Sequence, residues 1–284
     1  MAAVAVLSAS AALLVSAPGT GSAAPDRAAV PSLRAFGISG DGTLMAMFTT
    51  DRPNVLDWVR TINGLSGDQK LIGIDFRVQD GLLYGVGDKG GIYTIKTPPA
   101  TPDVVVTKVS QLQIALYGTN FGVDFNPAAD RLRVISDNAQ NLRHNLNDHT
   151  TTEDGILTTP PSPSPARGVT AAAYTNNDLN GSTGSVLNDI DTRVDQLVIQ
   201  APANNGTLSP VGALGFDAGA NAGLDIFSTV VNGKTTTNTA FAALTPYGAN
   251  NPSLYTVNLF TGEATQINQF PLSITDLAIS LTGS

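Results

Sequence analysis

Three aspartates, Asp75, Asp124 and Asp225, hold the same place in three similar stretches: Gly73-Ile74-Asp75-Phe76, Gly122-Val123-Asp124-Phe125 and Gly223-Leu224-Asp225-Ile226. Carboxylates brought together can hold a hard cation, or divide into a proton donor and a proton acceptor. A side chain this short can also do no more than accept backbone N–H bonds from a neighbouring strand, which is the favoured reading. Two related stretches carry Ala173 and Ala278 at that place, so a ring of carboxylates is incomplete. Glutamate is scarce, with Glu153 and Glu263 in loop-like surroundings. A glycosidase pair therefore has to be built mostly of Asp.

A second cluster is basic. Arg133 and Arg143 stand where the stretch before has Tyr84 and Tyr93, and Arg131, Asn141, His144 and Asn145 lie close in sequence. On adjacent strands two guanidinium forks can clamp a carboxylate or sulfate, including those of acidic sugars. Asp130 and Asp137 are near enough to favour internal ion pairing instead.

Other motifs lose their chemistry in context. Gly85-Val86-Gly87-Asp88-Lys89-Gly90 matches the dinucleotide fingerprint, but Ile92-Tyr93-Thr94-Ile95 follows as a strand where a helix is required. Asn176-x-Asp178-x-Asn180-Gly181 opens like a calcium loop, yet Leu187 occupies the position of the bidentate Glu. No cysteine is present, which excludes disulfides, thiolate zinc sites and a cysteine nucleophile. With two histidines, His144 and His149, a His-rich metal site is not expected. No G-x-S-x-G elbow accompanies the serines.

The elements that position these residues repeat. Apolar stretches led by a small residue begin at 73, 122, 171 and 223, and a fifth, Asp276-Leu277-Ala278-Ile279, begins at 276, giving spacings of 49, 49, 52 and 53 residues. A period near 50 belongs to propeller blades. Period-2 alternation and turn residues predict three more strands after each start. They are 82–88, 91–97 and 104–112 in the first repeat, 185–191, 196–202 and 207–214 in the third, and 239–246, 253–259 and 264–270 in the fourth. The fifth repeat has one strand at the C-terminus, and 33–39, 42–49 and 56–63 supply the rest from the N-terminal side. The expectation is an all-β, five-bladed β-propeller with four strands per blade, closed by one C-terminal and three N-terminal strands. In the second repeat a Pro-rich stretch, 150–167, partly replaces the fourth strand and reads as a long loop or lid beside the arginines.

The bulk composition agrees. Hydrophobic residues are 42% and charged residues 13% of the 284, with a net charge of −8. Such an acidic chain repels phosphate backbones, so nucleic acid is not an expected partner. Val4 to Val15 is an apolar run too short to span a bilayer, followed by small residues suited to signal cleavage. The expected organisation is a signal peptide at 1–24, a flexible leader at 25–32 and a single propeller domain at 33–284. The protein is expected to be secreted, with no later membrane span.

Several stretches carry a resemblance. They are Gly122-Val123-Asp124-Phe125-Asn126-Pro127 with Asp130-Arg131-Leu132-Arg133-Val134, Gln140-Asn141-Leu142-Arg143, Ala172-Ala173-Tyr174-Thr175-Asn176, Asn204-Asn205-Gly206-Thr207-Leu208, and Ser253–Leu259 with Thr261-Gly262. In these the chain resembles a bacterial family known as domain of unknown function 4394. The resemblance implies a secreted, propeller-like domain and carries no activity. The function expected is a non-catalytic binding or scaffold propeller for a glycan or protein. The alternative is an extracellular glycosidase- or lactonase-like hydrolase using Asp75, Asp124 or Asp225. Ligand contacts are expected at Arg131, Arg133, Arg143, Asn141 and His144. No cofactor is expected, and calcium is the one ion the pattern leaves open.

Overall fold

The computed structural model describes residues 29–284, and these form an all-β protein. The expected signal peptide, and the start of the leader, lie outside the described residues. The first repeat contributes β4 (Leu71–Phe76), β5 (Leu83–Gly87), β6 (Gly91–Lys96) and β7 (Val104–Gln111). The second gives β8 (Phe121–Asn126), β9 (Arg131–Ser136), β10 (Asn141–Asn145) and β11 (Thr150–Glu153). The third gives β12 (Val169–Tyr174), β13 (Leu187–Asp191), β14 (Gln196–Gln200) and β15 (Leu208–Ala213). The fourth gives β16 (Ala218–Val231), β17 (Lys234–Pro246), β18 (Ser253–Val257) and β19 (Ala264–Gln269). In each, consecutive strands pair antiparallel.

β20 (Ile274–Ile279) pairs antiparallel with β1 (Arg34–Ser39), which continues through β2 (Leu44–Thr49) to β3 (Leu56–Asn63). One C-terminal and three N-terminal strands thus share a sheet. β3 also meets β7 in parallel over two residue pairs, joining this set to the first repeat. No α-helix occurs among the described residues, and none there is long and apolar enough to cross a membrane.

Burial falls from the first strand of each set to the last. β12, Val-Thr-Ala-Ala-Ala-Tyr, is buried at every position, whereas β11, Thr-Thr-Thr-Glu, and β19, Ala-Thr-Gln-Ile-Asn-Gln, are largely exposed. First strands are covered on both faces by neighbouring sheets and so read as small and apolar, and last strands face water. The small residues that open the first strands have a direct cause. A Cβ on Gly122 stands 2.6 Å from Ala172 N, and one on Gly223 stands 2.5 Å from Asp276 Cα. First strands of adjacent sets run too close for a side chain there.

Apolar clusters fill the spaces between consecutive sets. Phe36, Met45 and Ile62 pack with Leu71, Ile74 and Tyr93. Tyr84 and Ile92 pack with Phe125 and Val134, and Ile135 with Ala172, Tyr174 and Val198. Ala173 and Leu197 pack with Leu224 and Ala242, and Phe241 and Phe270 with Phe48 and Leu277. The last sets an edge-on Phe48–Phe270 pair at 5.0 Å.

Two places depart from the expected elements. The second repeat does have a fourth strand, β11, paired to β10. The Pro-rich segment after it packs along the third repeat: Thr158 receives the N–H of Leu208 and donates its own to Gly206. In the fourth repeat β16 and β17 run to 14 and 13 residues, well past the expected strand. Near the N-terminus Val30 packs against buried core residues, and Ser32 Oγ donates to Asp51, so the end of the expected leader is held.

Candidate functional site

The central carboxylates come from the first strands. Oxygens of Asp75 (β4), Asp124 (β8) and Asp225 (β16) lie within 4.8 Å of one another, all buried. Each also reaches the next first strand along the chain that carries a matching donor. Asp75 accepts the N–H of Phe125 at 2.7 Å, Asp124 that of Tyr174 at 3.1 Å, and Asp225 that of Ile279 at 2.5 Å. Asp75 and Asp225 further accept the N–H of their own successors, Phe76 and Ile226. A fourth carboxylate joins them. Asp276 on β20, two residues before Ala278, accepts the N–H of Ile74 at 2.8 Å.

Electrostatics follow from this crowding. Burial, then the nearby Asp225, pushes the Asp75 carboxyl well above the usual range. Burial, then Asp75 and Asp225, does the same to Asp124. Burial raises Asp225 to about 6, and also raises Asp276. Like charges this close in a desolvated space share protons rather than ionise together. Three such oxygens can hold a cation, or exchange protons with a substrate that reaches them. None of the four lines a cavity described in the structure. At one end of the first strands Ser39, Lys70, Asn120, Asn221 and Thr275 border a space of about 40 Å³.

The arginines are largely spent in bonds within the second repeat and across to the third. Arg133 pairs across the sheet with Arg143 and with Asp124. Its guanidinium donates to Asn141 Oδ1 at 2.8 Å, Asp154 at 2.6 Å, Asn204 Oδ1 at 2.8 Å and Tyr174 Oη at 3.3 Å. Arg143 donates to the other oxygen of Asp154 at 2.9 Å. The Arg133 and Asp154 side chains are 4% and 5% exposed. The acid between the two arginines is therefore Asp154, while Asp130 pairs with Arg77 and Asp137 accepts the N–H groups of Thr119 and Asn120. Asn141 Nδ2 is bound to two carbonyls, those of Gly155 and Ala203, and Arg131 Nη1 to those of Ala129 and Asp130. His144 lies on the far side, bonded to Ser110 and Thr151. The expected ligand-binding residues are thus not gathered around one open site. Close by, Asp189 is buried with neither oxygen hydrogen-bonded among the described residues, and burial raises it well above the usual range despite Arg133.

The 176–181 turn spends its side chains internally too. Asp178 accepts the N–H groups of Asn180 and Thr235, and Asn180 Oδ1 that of Ser182. These bonds tie the turn to the β16–β17 hairpin, with Asn176 and Asn238 exchanging two more.

That contact walls a groove of about 880 Å³ between the third and fourth repeats. Thr175, Asn176, Asn188, Thr237, Thr256 and Asn258 supply hydroxyls and amides along it, and Glu263 is its one charged residue. Phe260 stands at its border, 92% exposed. Glu263 is one of the two glutamates noted in the sequence. Asn176 opens the calcium-like turn, but no motif announced the groove as a whole, because it is assembled mostly from Thr and Asn on strands of two different repeats.

Fold and site together define an all-β protein of four-stranded antiparallel sheets, with a cluster of interlocked buried carboxylates and a groove lined mainly by uncharged side chains. The chain belongs to the family described as domain of unknown function 4394, whose model matches residues 44–278. No curated protein matches it in sequence. Among solved structures, one similar chain is a structural-genomics protein of unknown function from Bacteroides thetaiotaomicron, at 17% identity and a TM-score of 0.45, over 89% of this chain and 68% of that one. Another belongs to a nidogen/laminin complex, at 13% identity and 0.48, over 88% and 99%. A third is a glutaminyl cyclase from Myxococcus xanthus, at 12% and 0.46, over 76% and 94%. At these scores the likenesses bring no activity, ligand or partner to this chain.

Proposed function

We propose that this chain is an exported, non-catalytic binding protein, a closed five-bladed β-propeller that holds a neutral glycan in the groove between its third and fourth repeats. Closure is supported by the β20–β1 pairing and by the first strands, which contact one another in the order β4, β8, β12, β16, β20 and back to β4. Export is supported by the apolar leader and its small-residue end.

The groove carries the reading of function. Hydroxyls and amides that donate and accept suit the hydroxyls of a sugar, and an exposed aromatic ring suits its C–H face. The central carboxylates serve as fasteners: each accepts a backbone N–H from another first strand. Their raised protonation and convergence favour the second reading, a hydrolase. Against it, no cavity described in the structure gathers them.

A glycan array probed with the full chain decides between them. Retention is expected on neutral glycans, little changed by salt. Phe260→Ala is expected to weaken it about tenfold, or about 1.4 kcal/mol. No retention, or retention indifferent to Phe260→Ala, overturns the reading. Cleavage of the bound glycan that stops in Asp124→Asn replaces it with the hydrolase.

A further inference from the structure

His144 and His149 meet over one hydroxyl. His144 Nε2 lies 2.8 Å and His149 Nδ1 2.9 Å from Ser110 Oγ. The three come from separate places: Ser110 from β7 of the first repeat, His144 from β10, and His149 from the turn between β10 and β11. The sequence, with two histidines and no cysteine, offered no reason to pair them.

The geometry orients each ring. His144 is fully buried, and its Nδ1 is 2.9 Å from Thr151 Oγ1, which also accepts the backbone N–H of Gln113 at 3.0 Å. With Thr151 Oγ1 as the acceptor of both N–H groups, His144 is the Nδ1-protonated tautomer and its Nε2 lone pair faces Ser110 and His149, the form a metal ligand requires. Burial, and after it the neighbouring His149, lowers the His144 ring to about 4, with Asp148 opposing. The ring is therefore neutral at physiological pH.

His149 is exposed on an open recess of about 520 Å³ lined by residues 108–113. Its backbone is left-handed, φ 60°, a conformation that Gly or Asn adopts more cheaply. The cation bordering the recess, Lys108, turns its Nζ to Ser66 O at 3.0 Å and Asp68 at 3.9 Å.

We propose that His144 and His149 form a two-imidazole site for a divalent transition metal of the copper(II) or zinc(II) class, entered from the recess, with Ser110 Oγ beside the ion. Imidazole suits these borderline metals, whereas the central aspartates offer only oxygen. The exposed His149 moves inward so that both nitrogens reach bonds of about 2.0–2.1 Å. Thr151 holds the ligand tautomer of His144 as an outer-shell partner.

The test is titration of the full chain with copper(II) chloride, followed by calorimetry and by electron paramagnetic resonance. One ion per chain is expected, with nitrogen hyperfine structure in the resonance spectrum. His149→Gln is expected to weaken binding at least tenfold, and Thr151→Val about 10–100-fold. His144→Gln removes a buried ring and can fail to fold, so the exposed His149→Gln decides. No saturable copper, or equal affinity in His149→Gln, overturns the proposal.

Discussion

Asp124 differs from its two partners by one hydrogen bond. Asp75 and Asp225 receive backbone N–H groups on both carboxylate oxygens, and Asp124 receives one, on Oδ1. An amide at 75 or 225 would aim its NH₂ at a donor, whereas an amide at 124 keeps the Tyr174 bond and turns Nδ2 toward the other carboxylates. All of these carboxyls are raised by burial, Asp225 from 3.8 to about 6. Above the unfolded value the native chain then holds more protons than the unfolded one, so their contribution to stability is full below about pH 4 and is lost as pH rises through the folded values. Asp130, held low by Arg77, acts in the opposite sense and loses its contribution in acid. Asp124→Asn is expected to raise Tm at pH 8 by about 2–4 °C, on the order of 1 kcal/mol, and to change it little at pH 4.5. Scanning calorimetry at the two pH values checks this, and a lower Tm at pH 8 contradicts it. The three aspartates were legible as equivalent positions. Asp276 was not, because it stands where the sibling strands carry glycine or, in the third repeat, Ala171, a place with no polar side chain to match it.

At the scale of elements, the glycine opening a first strand marks how closely two strands approach. Gly122→Ala places a methyl 2.6 Å from Ala172 N and 2.8 Å from Ala171 C, backbone atoms that cannot swing aside. It is expected to cost roughly 1–3 kcal/mol, seen as a lower urea midpoint at unchanged slope. Gly181→Ala, with no atom within 4 Å of the new methyl, is the control and is expected near zero. Most strand positions were readable because alternation and turn residues are local signals. The long β16–β17 hairpin was not. Lys234-Thr235-Thr236-Thr237-Asn238 has no apolar alternation, and bonds from Thr235 and Asn238 to Asp178 and Asn176 brace it from another repeat. The ion pairing expected of Arg133 is present, but with Asp154, which β11 brings beside β10.

For the whole molecule, β20 is the most consequential strand. It pairs with β1, contacts β16 and β4, and sends the Asp276 carboxylate to Ile74. If the sheets form the closed ring proposed above, deleting residues 273–284 opens it at once on three sides. The truncated chain is expected to lose cooperative unfolding and expose apolar surface to a dye such as ANS, while the full chain unfolds in one transition. A truncated chain that keeps one sharp transition argues against closure. The amino-acid sequence by itself determined the all-β class, the period near 50 residues and the sharing of one sheet between the two ends of the chain, because alternation, turn residues and glycine spacing act within a few residues of one another. Tertiary structure alone decided which side chains meet. The Asp75–Asp124–Asp225 cluster, the Ser110–His144–His149 contact and the Thr/Asn groove each join residues from different repeats, and a pattern of period two says which face a residue takes but not which distant strand it will face.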